Sequence, residues 1–138
     1  MRCAWLIILS TATLGCGDRL ATVTGHVTLD GEPLAGGPEL RGIVQFNPAG
    51  GSGVTATAYL DAEGKYRLAT GSQDGIMPGP YEVAISATRI IYGQPGEAPS
   101  GRPVTLRRYA KAKDSGFTAD VAPGRNTFDF ELHSEVAK

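Results

Sequence analysis

The sequence has few of the residues that catalysis or covalent cross-linking usually requires. Its 138 residues include only two cysteines, Cys3 and Cys16, and two histidines, His26 and His133. Its 13 basic and 14 acidic residues give a formal net charge of -1. A chain without a basic excess has no electrostatic attraction for nucleic acid or for an anionic membrane surface. We therefore expect no nucleic-acid partner.

Motifs of catalysis and of metal or phosphate binding are missing as well. The sequence has no Gly-x-Ser-x-Gly elbow and no glycine-rich loop followed by Lys-Ser/Thr. Both histidines fall on outward positions of predicted strands, and they would meet as a metal pair only if the first and last strands were neighbours. Solvated surface histidines are the favoured interpretation. We expect no catalytic residues, no metal site and no cofactor.

Three aspartates lie at or near glycines, in Asp30-Gly31, in the stretch Asp61–Gly64 and in Asp74-Gly75. Aspartate side chains commonly accept hydrogen bonds from the backbone of a turn. A calcium loop would need several oxygen ligands at fixed spacing. The pattern favours structural turns over calcium sites.

The chain begins with a basic head and an apolar stretch. Residues 4–14, AWLIILSTATL, number eleven and are too few to span a bilayer core of about 30 Å, but they suit the apolar region of a signal peptide. The following "TLGC" resembles the lipobox of bacterial lipoproteins, with Gly15 at the small position before cleavage and Thr13 where leucine is usual. That resemblance implies cleavage after Gly15 and acylation of Cys16. An ordinary secretory signal, with Cys16 incidental, is the alternative.

The cysteine count favours lipidation. After removal of a signal peptide over residues 1–15, Cys16 would be the only cysteine and no internal disulfide would form. An unpaired thiol is unusual in an exported protein unless it is already modified. Because each buried acyl methylene adds about 0.8 kcal/mol, two or three chains hold a protein stably on a membrane. We predict a lipid-anchored protein of the cell envelope, on its periplasmic or outer-surface face.

The remainder alternates apolar and polar residues with a period of two, which is typical of half-buried strands. In the first strand Val23, Val27 and Leu29 share a face with Gly25, and in the last Phe128 and Phe130 point inward. Turn signals separate seven predicted strands: 22–30, 42–48, 54–61, 65–69, 81–87, 117–121 and 126–133.

Seven short strands without helical periodicity favour an all-β fold, a β-sandwich whose two sheets bury their apolar faces. The predicted organisation is a linker at 16–21, a sandwich domain at 22–134 and a tail at 135–138. One core cluster is expected to contain Phe46, Tyr66, Leu68, Val83, Ile85, Phe128 and Phe130.

Several stretches resemble one family in order and spacing. They are "VTGHVTLDGEPLAGG", "VQFNP", "AYLDAEGKYRL", "GIMPGPYEVAISA" and "SGFTADVAPGRNTFDFEL". Together they are similar to the transthyretin-like, carboxypeptidase-regulatory-like domains of small bacterial lipoproteins. The resemblance implies a seven-stranded, prealbumin-like Greek-key sandwich that usually lacks catalytic residues. The 5-hydroxyisourate hydrolases share that architecture but end in Tyr-Arg-Gly-Ser, whereas this chain ends "HSEVAK".

The longest predicted loop, residues 88–115, is rich in proline and glycine and basic toward its end, and it leaves room for short strand pieces near 90–92 or 104–109. We expect residues 90–107 to be the least ordered part of the domain, because few apolar side chains offset the cost of ordering them. The basic cluster 107–113 is interpreted either as a solvated loop or edge strand, or as part of a binding loop. The candidate partner-binding residues are Tyr92, Arg107, Arg108, Tyr109, Lys111 and Lys113.

The expected function is a non-catalytic, membrane-anchored envelope lipoprotein that acts as a structural or binding module. Its expected partners are the lipid bilayer, through acylated Cys16, and an envelope protein or polysaccharide. The alternative is an unrecognised hydrolase on a transthyretin-like scaffold.

Overall fold

The computed structural model describes residues 19–134, which form an all-β structure of two sheets. The predicted signal peptide, Cys16 and the tail 135–138 lie outside the described residues. The strands are β1 (Thr22–Leu29), β2 (Glu32–Pro33), β3 (Leu40–Pro48), β4 (Ala56–Tyr59), β5 (Lys65–Arg67), β6 (Ala69–Thr70), β7 (Gln73–Asp74), β8 (Gly79–Ile91), β9 (Ser100–Pro103), β10 (Phe117–Val121), β11 (Arg125–Thr127) and β12 (Phe130–Leu132).

The first sheet is built around β1. β5 and β2 pair with it in antiparallel fashion, and β11 and β12 pair with it in parallel. Thr22 is level with Arg125, and Val27 is level with Phe130, so β11 and β12 keep the same register along β1. They are therefore one strand with an interruption at Phe128 and Asp129.

The second sheet is larger and more regular, in the order β10-β8-β3-β4-β6-β7. Its centre is the antiparallel pair β3 and β8, which stay in register from Leu40 opposite Arg89 to Pro48 opposite Tyr81. The chain crosses from the first sheet to the second at Leu68, between β5 and β6. Leu68 is fully buried, which fixes this crossing in the core.

The core lies between the sheets, as the period-two pattern predicts. Phe46 of the second sheet is fully buried, and its ring lies 6.0 to 6.5 Å from those of Tyr66, Tyr81, Phe128 and Phe130. The predicted core cluster is confirmed, with Phe128 half-buried against it. These rings join the two sheets, and the predicted all-β sandwich class is confirmed.

Three details differ from the sequence-based prediction. The seven predicted strands are all present, but residues 19–134 contain twelve strand segments. Three of these, β2, β7 and β9, were not predicted, and the predicted strands 65–69 and 126–133 are each split in two. Val54 begins the predicted strand 54–61 but is 68% exposed, since β4 begins only at Ala56. Ala21 was assigned to the linker, yet it is fully buried and bridges to Ile76.

The predicted long loop is also partly wrong. β8 continues to Ile91 and pairs with β9, so residues 88–103 form a β-hairpin that extends from the sandwich. The chain then returns through half-buried Val104 and Leu106 into a 3₁₀ helix, Arg107–Ala110. Sequence alone missed this hairpin because its exposed strands show no apolar alternation.

The two ends of the sandwich differ in which loops they carry. The N-terminal end is where β1 begins, and it holds the loops 49–55, 71–72, 75–78 and 122–124. The distal end is where β1 ends and β3 begins, and it carries the hairpin β8–β9.

Candidate binding cleft

The structure does not bring the predicted partner-binding residues together. Lys111 and Lys113 line a surface hollow with Glu82, near the start of β8, whereas Tyr92 follows the last residue of that strand. Nine residues of strand separate Glu82 from Ile91, which amounts to about 30 Å. The six residues are therefore not one binding loop.

Tyr109 is a correction to the sequence-based prediction. It is only 2% exposed, and its ring stacks on Phe117 with centroids 5.6 Å apart. Its hydroxyl accepts hydrogen bonds from the His133 backbone N–H and the Arg108 guanidinium. Tyr109 thus fastens the 3₁₀ helix to the end of β12, while Arg107 and Arg108 are exposed beside it.

A different surface combines an exposed aromatic ring with charged groups. An open cleft of about 590 Å³ lies where β5 leaves the first sheet and passes the end of β4. Its lining includes Thr24, His26, Tyr59, Asp61, Lys65 and Arg67. A groove of about 400 Å³ adjoins it and shares Tyr59; its lining includes Pro38, Leu40, Arg41, Ile90 and Tyr92. We call the two together the Tyr59 cleft.

Two of the three tyrosines that line the Tyr59 cleft face solvent, and the third, Tyr66, is buried. The side chains of Tyr59 and Tyr92 are 66% and 63% exposed. The Tyr92 hydroxyl donates a hydrogen bond of 3.0 Å to the Pro38 carbonyl, which holds the start of the hairpin loop against the loop before β3. Exposed tyrosines offer large, rather rigid contact area with a polar tip, a combination enriched at recognition surfaces.

The wall of the cleft is built on the interruption of the last strand. Phe128 N–H donates to the Thr24 carbonyl, as a parallel ladder requires. The next ladder bond, from His26 N–H to the Phe128 carbonyl, is replaced by two others. His26 N–H donates to Asp129 Oδ1 at 2.9 Å, and the Phe128 carbonyl accepts from the Tyr66 hydroxyl at 2.6 Å.

Gly25 makes this exchange of partners feasible. A Cβ atom at Gly25 would overlap the Phe128 carbonyl oxygen and press on the Tyr66 ring. Without a side chain, the carbonyl leans over residue 25 and reaches Tyr66. Glycine inside a strand often marks such a close backbone approach, and this was the one sequence signal for the site.

The exchange also sets the position of His26. Its Nδ1 atom lies 3.5 Å from Asp129 Oδ1, with both side chains more than half exposed. β1 and the last strand are neighbours, but His133 lies beyond Leu132, which is level with Leu29. The register therefore places the two histidines at different levels. Within residues 19–134 no group of three His, Cys, Asp or Glu side chains is arranged to hold a metal ion.

Asp61 has the structural role that its turn context predicts. Its Oδ1 accepts from the backbone N–H groups of Glu63 and Lys65, each at 2.9 Å. These bonds, with smaller contributions from the charges of Lys65 and His26, hold the pKa of Asp61 below its ordinary value. Asp61 thus fixes the floor of the cleft and contributes an anionic group at neutral pH.

Asp30, at the distal end, is likewise a turn residue whose carboxylate accepts a backbone hydrogen bond. Asp30 and Gly31 have φ values of 53° and 85°, which suit the two-residue turn of the hairpin β1–β2. Hydrogen bonds from Ser134 lower the pKa of Asp30. Its carboxylate therefore ties the chain after β12 to this turn.

The remaining charges give the cleft a mixed character. The Lys65 ammonium lies 2.9 Å from Glu63, and that pair raises the pKa of Lys65. Arg67 lines the same cleft and has no ion-pair partner among residues 19–134. Beneath them, burial raises the pKa of Tyr66, and the charge of Asp129 adds to the effect. Tyr66 is therefore a neutral hydrogen-bond donor.

The comparisons with known proteins give no family. No protein-family model matches the sequence, and no curated protein matches it. Among solved structures, the chain is similar to part of a 9R-lipoxygenase from Cyanothece PCC8801, at 13% identity over 83% of this chain with a TM-score of 0.36. The chain spans 16% of that lipoxygenase chain. A likeness at this level carries no argument.

None of the helical structure in residues 19–134 is long and apolar enough to cross a bilayer.

Proposed function

We propose that this protein is a non-catalytic binding module of the cell envelope, anchored to a membrane by acylated Cys16. In this proposal the Tyr59 cleft binds an envelope protein or polysaccharide. The sandwich holds the cleft in a fixed shape, and the lipid keeps the module at the membrane surface.

The observation that carries the proposal is the composition of the cleft. It combines two exposed tyrosines with cationic and anionic groups. Its wall is fixed by the hydrogen bonds from His26 N–H to Asp129 and from the Tyr66 hydroxyl to Phe128 rather than by a regular strand. A rigid surface loses little conformational entropy when a ligand binds. Aromatic residues, tyrosine among them, are enriched at interaction surfaces relative to the rest of a protein surface.

A hydrolase is the second candidate, and the contact between His26 and Asp129 is the observation that favours it. A carboxylate near Nδ1 orients an imidazole so that Nε2 acts as a base. The hydroxyls of Thr24 and Thr127 line the same cleft. This candidate predicts hydrolysis of an ester or amide substrate that is lost in His26→Ala and reduced in Asp129→Asn. A binding module predicts no turnover by any of the three proteins.

The anchor is tested by mass spectrometry of the protein purified from its native envelope. We expect loss of residues 1–15 and acyl mass on Cys16. The Cys16→Ala variant should leave the membrane fraction or accumulate as a precursor. A mature protein that starts elsewhere and carries no acyl mass would refute the anchor.

The binding role is tested by chemical crosslinking in intact envelopes, followed by capture of the protein. Tyr59→Ala combined with Arg67→Ala should lose the captured component while the fold survives. The matched control is Gln73→Ala, an exposed residue of the N-terminal end, which should capture as much as the wild type. Equal capture by all three proteins would show that the Tyr59 cleft is not the binding surface.

A further inference from the structure

The path by which the chain enters the sandwich determines which end is nearest to Cys16. Ala21 N–H donates to the Ile76 carbonyl at 2.6 Å, and Ile76 N–H donates back to Ala21 at 2.9 Å. Both residues are fully or almost fully buried. The polypeptide therefore joins the N-terminal end of the sandwich immediately beside Ile76 and Met77.

The distance from the predicted anchor to this point is short. Ala21 is the fifth residue after Cys16, and even a fully extended chain covers those five steps with only about 17 Å. The polar headgroup region of one leaflet accounts for about 5–8 Å of that span. If Cys16 is acylated, as the proposed function requires, the N-terminal end lies no more than about 10 Å from the outer edge of the headgroup region.

That end exposes large apolar side chains. Val54 is 68% exposed and Met77 is 45% exposed, and both line one groove of about 380 Å³. The groove is otherwise lined by small residues, by prolines including Pro48, Pro78 and Pro80, and by Tyr81. Because no charged residue within 19–134 lines it, this Val54–Met77 surface is the apolar part of the end that faces the anchor.

The charges around this surface are balanced. Four basic and four acidic residues of the described part of the chain lie around it: Arg19, Arg125, Lys111 and Lys113 with Asp74, Asp120, Glu82 and Asp114. A balanced rim gives no net attraction to anionic lipid, which requires clusters of Lys and Arg. Contact with the membrane here would depend on the apolar side chains.

We propose that the Val54–Met77 surface rests in the interfacial region of the bilayer that holds Cys16, so that the Tyr59 cleft points away from the membrane. The depth is limited to the headgroup region, because the backbone groups of the loop 49–55 need water or other polar partners. A weak contact suffices, since the short tether keeps the surface at a high effective concentration next to the lipid. This proposal rests on the anchor at Cys16.

Tryptophan fluorescence provides the test, because the only tryptophan, Trp5, lies in the predicted signal peptide. The acylated Val54→Trp protein is reconstituted into phosphatidylcholine vesicles that contain brominated lipid. Its matched control is Tyr92→Trp, at a distal position of similar exposure, 63% against 68%. We expect blue-shifted emission from Val54→Trp and quenching at least about threefold stronger than in Tyr92→Trp, as a side chain in the interface should give.

A second variant and a change of lipid distinguish an apolar membrane contact from an electrostatic one. Met77→Trp should be quenched like Val54→Trp, and added phosphatidylglycerol should not change either signal. Equal quenching in Val54→Trp and Tyr92→Trp, on protein whose acyl mass at Cys16 is verified, would overturn the orientation and leave the anchor intact. Quenching that appears only with phosphatidylglycerol would also overturn it, because the contact would then be electrostatic. Absence of the acyl mass would overturn the anchor and this inference together.

Discussion

The N-terminal end and the Tyr59 cleft expose different kinds of side chain. The N-terminal end exposes Val54 and Met77 among prolines and small residues, and no charged group of residues 19–134 lines their groove. The Tyr59 cleft instead holds exposed tyrosine rings beside His26, Asp61 and Arg67. An apolar surface suits a lipid contact, whereas mixed charge and aromatic area suit a specific ligand. The two proposed roles, a membrane contact and a ligand surface, rest on this difference.

The two sheets also differ in how regular their hydrogen-bond ladders are. The ladder between β3 and β8 is uninterrupted over nine pairs of residues. The last strand, by contrast, breaks at Phe128, where side chains take over the ladder bonds of β1. Irregular backbone is retained where surrounding contacts over-determine it, and such places are often functional. The regular sheet supports the fold, and the interrupted one shapes the cleft.

The largest loss of stability is expected for a change in the aromatic core between the two sheets. Phe46→Ala should lower the free energy of unfolding by about 4 kcal/mol, because it removes a fully buried ring that contacts aromatic residues of both sheets. Urea unfolding measures the change. A loss below about 1 kcal/mol would mean that the aromatic cluster does not join the sheets.

The interruption itself is tested by Gly25→Ala. We expect a loss of about 3 kcal/mol, because the added methyl group would overlap the Phe128 carbonyl and displace it from Tyr66. The matched control is Gly37→Ala, where no atom lies within 4 Å of the new Cβ. The control should stay within about 0.5 kcal/mol of the wild type. Equal stability of the two variants would contradict the close approach at Gly25.

A smaller change, Tyr66→Phe, tests the hydrogen bond from the Tyr66 hydroxyl to the Phe128 carbonyl. The variant keeps the ring but leaves the Phe128 carbonyl without its donor, which should cost about 1–2 kcal/mol. Tyr59→Phe, at an exposed ring, should be close to neutral. Thermal unfolding of both variants makes the comparison. A neutral Tyr66→Phe would show that the hydroxyl bond does not stabilise the interruption.

The smallest effect concerns pH and Asp61. Because the folded pKa of Asp61 lies below its ordinary value of 3.8, its carboxylate stabilises the fold above that value, and this contribution disappears as pH falls through the folded pKa. Asp61→Asn should therefore be slightly less stable than the wild type at neutral pH and equal to it in strong acid. Urea midpoints across this range measure the difference. A difference that grows on acidification would contradict the role of the charge.

Much of the fold was predictable from the sequence. Alternation placed Val23, Val27, Phe46 and Phe130 inward because a half-buried strand leaves few other choices, and the turn at Asp61 follows from its side-chain chemistry. The hairpin β8–β9 was not predictable, since its exposed strands carry no apolar signal.

The cleft was predictable only in part. Gly25 inside a strand is a signal of close backbone approach that the strand prediction left unused, whereas His26 was correctly placed outward. The meeting of Tyr59 with β5 depends on where the chain crosses between sheets, which local patterns do not encode. Tyr109 was misassigned because a basic neighbourhood masked an aromatic residue that packs on Phe117.

One measurement tests the separation of roles directly. A photo-crosslinking amino acid is placed at Tyr59 or at Val54 in the full-length protein, and adducts formed in intact envelopes are identified by mass spectrometry. Position 59 should crosslink to a protein or polysaccharide, and position 54 should crosslink to lipid. The same adducts from both positions, or lipid adducts from position 59, would contradict an anchored module with its ligand surface turned away from the membrane.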